Sequence, residues 1–284
     1  MKVLGFTPTY ADAAEKFKKL IPEARGSSGK WFDWAVYAGE TTPETVDVLR
    51  GHLRHPLGAG IQYLTVWPEN RGQHHATLEA LRLARALGYE WLLRIDDDVE
   101  FKTQRWLKKM LERLHELHRL QKANTETLIA RAGVEGPERE RMLAHASRHR
   151  MVAGPTVKGL RQPPEVKALI ELGQPYVVEC VELLGGVLRL APVPLLEGYE
   201  PDVTMPVGRG DPQQLAAYLE REQGFLVRFK DIRVGHDTRA IEGAEDAWKA
   251  HRRRMGHYWP WVPPEGFTEL PSPMKRGEKP KEAK

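Results

Sequence analysis

The stretch Ile61–Phe101, IQYLTVWPENRGQHHATLEALRLARALGYEWLLRIDDDVEF, decides the fold. Gln62–Val66 is a short apolar run with β-branched character, broken by Pro68, and reads as a strand. Gln73–Leu87 reads as a helix: Ala76, Leu78, Leu81, Leu83, Ala84 and Leu87 follow the 3.6-residue period loosely, and Gly88 stops it. Trp91–Ile95 is the next strand and runs straight into Asp96-Asp97-Asp98. Strand, helix and strand at this spacing imply a parallel pair, and ligands bind beyond the carboxyl ends of such strands. Three adjacent carboxylates repel one another, so an apolar strand ending in them needs positive compensation. A divalent cation carried by a phosphate would supply it; the other reading is a solvated acidic turn.

Outward from this unit the same alternation continues. Lys2–Phe6 reads as a strand ended by Pro8-Thr9-Tyr10, and Ala11–Leu20 as a helix. Trp34–Tyr37 is a second strand, and Pro43–Arg54 a helix with proline in its first turn. Thr103–Lys122 is an amphipathic helix, with Trp106, Met110, Leu114 and Leu117 expected in the core. A more polar helical stretch covers Thr125–Arg150, interrupted at Gly133–Pro137. Strand character returns at Met151–Val157, Tyr176–Cys180 and Gly186–Leu190. Pro212–Gln223 reads as a helix, Leu226–Phe229 and Ile232–Val234 as short strands, and Ile241–Met255 as a final helix. The expectation is an α/β domain over residues 1–268. It includes a helical insertion at about 124–150 and a C-terminal helix with an aromatic arm at 241–268. A basic flexible tail, 269–284, follows.

Composition narrows the function classes. The net charge is +4, but Ser272–Lys284 alone holds five basic residues against two acidic ones, so the body is nearly neutral. It lacks the broad basic face of a nucleic-acid binder. One cysteine, Cys180, excludes an internal disulfide and cysteine-cluster metal sites; it fits a reducing compartment, and a cytoplasmic location is expected. No run is long and apolar enough for a spanning helix, and the N-terminus reads as a strand rather than a signal peptide.

The ordered motifs resemble family 2-like glycosyltransferases with the GT-A fold. In that family a strand leads to Asn-x-Gly, a helix follows, and a second strand delivers Asp-x-Asp; here these are Asn70-Arg71-Gly72 and Asp96-Asp97-Asp98. FTPTY (Phe6–Tyr10) resembles the first strand and its nucleotide-cradling loop. WAVYAGETTPET (Trp34–Thr45) resembles the second strand and loop, and Gly185-Gly186 with Val187–Leu190 the strand entering the acceptor side. VGRGDPQQLAAYLEREQGF (Val207–Phe225) resembles the Gly-Glu-Asp segment and its helix, and IRVGHD (Ile232–Asp237) the closing strand with its histidine. The departures are local. Tyr37-Ala38 stands where an aspartate usually pairs with the base, with Glu40 as a substitute, and Thr77 and Leu78 stand at the usual Arg-Asn pair. An ungapped alignment puts Asp211 at the glutamate of Gly-Glu-Asp, and a one-residue shift puts it at the aspartate.

The resemblance implies a single GT-A domain and sugar transfer from a nucleotide-sugar, UDP or GDP, to an acceptor hydroxyl. Mn²⁺ or Mg²⁺ would sit on the diphosphate. Asp98 is then the direct metal ligand, Asp96 meets the ribose or the metal through water, and Asp97 serves either role. His236 is the further ligand, and a neutral imidazole suits Mn²⁺ better than Mg²⁺. Pro8, Thr9, Tyr10, Glu40, Asn70 and Arg71 are expected around the donor. Asp211 is the general base of an inverting transfer, or the cap of the helix that follows it, or both.

Two other functions fit the same residues. A nucleotidyltransferase would keep the fold, but it favours a Gly-rich basic loop after the first strand, which Phe6–Tyr10 lacks. A non-catalytic carbohydrate or polyanion binder would use the basic, aromatic segment Arg252–Trp261. Arg25-Gly26-Ser27-Ser28-Gly29-Lys30 is not a P-loop: two residues separate its glycines and Trp31 follows the lysine. It is expected as a mobile loop near the donor. His74 and His75 are expected at the surface.

Overall fold

The computed structural model describes residues 1–53, 60–158, 165–171, 177–184, 186–203 and 211–236. The expected helix at 241–255, the segment 252–261 and the tail 269–284 lie outside the described residues, as do Gly185, 207–210 and Asp237.

The first half alternates strand and helix. β1 (Val3–Ala11), α1 (Ala14–Ser27), β2 (Asp33–Thr41), α2 (Pro43–His52), β3 (Tyr63–Trp67), α3 (Gly72–Ala86) and β4 (Trp91–Ile95) follow in turn. β1 pairs in parallel with both β2 and β4, and β2 with β3. The second half is mixed: β5 (Val99–Phe101), α4 (Trp106–Ala132), α5 (Gly136–Ala146), β6 (Met151–Lys158), β7 (Val166–Glu171), β8 (Val177–Val181), β9 (Leu188–Pro192), α6 (Asp211–Arg221) and β10 (Phe225–His236). Among the described residues all ten strands join one sheet in the order β3-β2-β1-β4-β9-β6-β10-β8-β7, with β5 paired to β10. β9 is antiparallel to both β4 and β6, so β6 and its parallel partner β10 point the same way as β1 and β4. The carboxyl ends of β1, β4 and β10 therefore share one edge.

Helices cover both faces. On one, Phe17, Leu20 and Ile21 of α1, Leu49 of α2, and Trp106, Met110 and Leu114 of α4 pack against Trp91, Leu93 and Ile95 of β4. On the other, Ala76, Ala80 and Leu81 of α3 and Leu215, Tyr218 and Leu219 of α6 pack against Leu4, Phe6 and Leu92. Alternation along β4 thus sends Arg94, the even-numbered partner of Leu92, to the α3 and α6 face.

Several boundaries differ from expectation for physical reasons. β1 continues through Pro8 because beyond Phe6 it pairs only with β2, so the missing N–H costs less. α1 continues past Leu20 through Pro22, which is exposed while Ile21 and Ala24 keep the buried stripe going. α4 is one 27-residue helix across the expected break near residue 123, ended by Gly133 in the left-handed conformation. β10 is continuous, with a register shift between Phe229 and Arg233 where two strands were expected. His74 is buried, not at the surface. Arg25–Lys30 is neither wholly a loop nor beside the acidic triplet: Arg25–Ser27 form the last turn of α1. α1 leaves the carboxyl edge after β1 and, at 14 residues, is about 20 Å long, so it carries this segment to the opposite edge of the sheet. No helix among the described residues is long and apolar enough to cross a membrane.

Candidate active site

The acidic triplet sits at the end of β4: Asp96 and Asp97 each have a cationic neighbour, and Asp98 has an imidazole. Arg94 Nε donates to Asp96 Oδ1 at 2.8 Å, and Arg94 Nη2 donates to Gln73 Oε1 at 2.6 Å. Gln73 is in the first turn of α3, so this buried arginine ties the helix that follows Asn70-Arg71-Gly72 to the triplet. Asp97 accepts from Thr9 Oγ1 at 2.6 Å and from Lys16 Nζ at 3.1 Å. It therefore joins the end of β1 to the first turn of α1. Asp98 Oδ2 lies 3.1 Å from His236 Nε2.

The last contact is set by strand register. His236 pairs with Val99 across the antiparallel β10–β5 ladder, and Asp98 immediately precedes Val99. Asp98 Oδ1 is buried and has no hydrogen-bond partner among the described residues. An orphaned carboxylate oxygen beside an imidazole suits a divalent cation, since a buried anionic oxygen is costly to leave unmatched. The fit is partial. Among the described residues no group of three or more His, Cys, Asp or Glu side chains is placed to hold a metal alone. Asp98 and His236 are brought together, whereas Asp96 is turned to Arg94.

Electrostatics follow from the burial. Burial pushes the Asp96 carboxyl above the ordinary aspartate range, with Arg94 opposing and Asp98 adding to it. Asp97 is raised by burial too, opposed by Lys16 and Thr9. Burial works to lower the Lys16 ammonium, but Asp97 overrides it and the net direction is upward. The Tyr10 phenol is raised by burial and then by Asp97.

The remaining expected donor residues line the same edge. Pro8 pairs with Tyr37 and Tyr10 with Gly39 where β1 and β2 end. Gly39 allows a close approach: a Cβ there would lie 2.9 Å from the Glu69 carbonyl oxygen and 3.0 Å from Asn70 Cα. Asn70 is buried and its Oδ1 accepts from Gly72 N at 2.9 Å, shaping the turn into α3. Arg71 is half-exposed over Trp67, and Trp67 stacks on Tyr37 at 5.6 Å. Glu40 is exposed, with φ of 50°, at the bulge that ends the β1–β2 pairing. Asp211 opens α6, and its side chain is outside the described set.

Lys16, Gln73 and Arg94 were not singled out in the sequence. For Arg94 the signal was there, a charged residue inside the apolar run WLLRI at a strand end. Lys16 and Gln73 are ordinary helix residues whose role depends on what the sheet brings opposite them.

No family model and no curated protein matches the chain. Solved structures do match. Over 83% of this chain it is similar to GalNAc-T7, solved with UDP, GalNAc and Mn²⁺, at a TM-score of 0.53 and 8% identity. Over 88% it is similar to the mannosyltransferase PcManGT from Pyrobaculum calidifontis, solved with GDP-Man and Mn²⁺, at 0.51 and 16%. Over 90% it is similar to residues 1–349 of TarS from S. aureus, at 0.50 and 14%. The chain covers 44%, 60% and 65% of those three chains in turn. At these identities the likeness establishes the fold: a Rossmann-like parallel core within the mixed α/β sheet of GT-A glycosyltransferases.

Proposed function

We propose that this GT-A-fold chain is a glycosyltransferase that moves a sugar from a UDP- or GDP-sugar to an acceptor hydroxyl. The observation that carries the reading is the pairing of Asp98, just past the end of β4, with His236, the last residue of β10, with Asp98 Oδ1 unmatched among the described residues. GalNAc-T7 and PcManGT, similar in fold, were solved with Mn²⁺ and with UDP or GDP-Man, which supports the same ligand classes here.

Asp98 and His236 would hold Mn²⁺ or Mg²⁺. Bound there, the cation would offset negative charge gathering on the departing diphosphate. Asp97 holds the Pro8-Thr9-Tyr10 end of β1 through Thr9, so the nucleotide cradle would be fixed before the donor arrives. Arg94 and Gln73 fix Asp96 through Oδ1, leaving Oδ2 to accept a ribose hydroxyl or a metal-bound water. Arg71, half-exposed at the start of α3 and 3.6 Å from Glu69, would exchange that surface ion pair for the donor phosphates, and Asn70 shapes the turn that presents it. Glu40, exposed at the end of β2, would substitute for the aspartate that pairs with the base. Asp211 takes the acceptor proton as the hydroxyl oxygen bonds to the anomeric carbon and the carbon–diphosphate bond breaks. This single displacement inverts the anomeric centre.

A panel of UDP- and GDP-sugars, each with and without Mn²⁺, tests the reading by thermal stabilisation. Metal-dependent stabilisation by one nucleotide class is expected, because a ligand that binds only the native state raises its melting temperature. No stabilisation by any member would overturn it.

A further inference from the structure

A cavity of about 660 Å³ lies at the far end of α1 from the acidic triplet. It is lined by Ile21, Arg25, Gly29, Lys30, Trp31 and His52, among others. Its chemistry is set by Arg25. The guanidinium sits over three aromatic rings, 4.5 Å from the centroid of Trp31, 4.3 Å from that of Phe32 and 5.4 Å from that of Trp34. It donates to the Phe32 and Gly60 carbonyl oxygens and to Gln62 Oε1, none of which is charged. No carboxylate lies within ion-pair distance of it among the described residues, and its Nε is buried without a hydrogen-bond partner.

A half-buried cation without a directly paired anion is costly: burial lowers the Arg25 pKa to about 10, and the Asp33 carboxylate, beyond ion-pair distance, opposes the shift only in part. Lys30 adds a second cation to the wall, also without a carboxylate partner among the described residues. Trp31 is 51% exposed at the rim, held by an indole N–H to Asp33 Oδ1 contact of 3.4 Å. An exposed indole offers an apolar face to the C–H side of a sugar ring, while the cations match an anionic substituent.

We propose that the Arg25–Lys30–Trp31 cavity binds an anionic saccharide, a sugar ring carrying a carboxylate or a phosphate, with Trp31 stacking on the ring and Lys30 and Arg25 meeting the anion. The site is separate from the acidic triplet and does not rest on the sugar-transfer reading. It would anchor a charged glycan at a distance from the acidic triplet.

The test is titration calorimetry on the full chain with three probes: tetragalacturonate, a phosphorylated oligosaccharide of similar length, and neutral maltotetraose. At least one anionic probe is expected to bind saturably, about tenfold or more tighter than maltotetraose, and less tightly as salt is raised. Trp31→Ala and Lys30→Glu, both at exposed or half-exposed positions, are each expected to weaken that binding about tenfold or more. Asp98→Ala is expected to leave it unchanged, which separates this site from the donor site. The proposal is overturned if neither anionic probe binds, if the neutral probe binds equally well, or if the Trp31 and Lys30 variants bind like the wild type. Which anionic probe binds tells the carboxylate source from the phosphate source.

Discussion

Asp98 and His236 meet at 3.1 Å because the β5–β10 ladder places His236 opposite Val99, one residue after the aspartate. The contact joins the end of the parallel half of the sheet to the last described strand. Replacing His236 with alanine is expected to raise the Mn²⁺ concentration needed for half-maximal turnover by about tenfold or more, as loss of the proposed ligand should. An unchanged metal requirement in a folded variant would remove His236 from the site.

Arg94 is a buried cation whose carboxylate partner is Asp96. Arg94→Met leaves the partly buried Asp96 without its cation and is expected to lower unfolding free energy by about 3 kcal/mol. Urea denaturation measures this. The double variant Arg94→Met with Asp96→Asn is expected to regain part of the loss, because the orphaned charge goes too. Equal stability of the single and double variants would mean that the pair is not coupled.

Asp211 begins α6 and stands within the segment that resembles Gly-Glu-Asp, at its glutamate or its aspartate. Asp211→Asn keeps a capping side chain but removes the proposed base, so kcat is expected to fall about 100-fold or more with donor KM little changed. If KM rises and kcat holds, Asp211 is structural.

The fold carries a pH dependence remote from the site. His149 packs on Trp91 at 5.2 Å and on His118 at 4.0 Å. Burial, then His118 and His115 of α4, lowers its pKa to about 4, against 6.5 for a free histidine. The unfolded chain therefore binds the proton first as pH falls. This contribution to stability rises with pH between about 4 and 6.5 and is lost on acidification across that window. Melting temperature measured from pH 7 to pH 4 should fall less steeply in His149→Gln than in wild type. Parallel curves would contradict the assignment.

Much of this arrangement was legible from the residues. Trp91–Ile95 stands where its apolar run and the following aspartates put it, and α3 is within a residue of its periodic pattern. Periodicity reports burial, and both elements are buried. β7 escaped notice because it lies at the sheet edge with Val166 and Leu169 exposed, so no alternation marks it. Asp98 and His236 were linked only through a resemblance between ordered motifs; no local pattern states that β10 returns beside β5. The partners of Asp96 and Asp97 were not legible at all. Lys16 and Gln73 look like solvent-facing helix residues until the parallel β1–β4 pairing sets the helix starts beside the strand end. The position of the Arg25–Lys30 segment depended on the length of α1, which Pro22 disguised.

The most direct measurement is metal-dependent hydrolysis of the stabilising nucleotide-sugar by wild type and by Asp98→Ala, with folding checked by circular dichroism. The account predicts that wild type hydrolyses the donor with Mn²⁺ and not after chelation, and that the folded Asp98→Ala protein loses this activity. Full metal-dependent activity in that variant would contradict it.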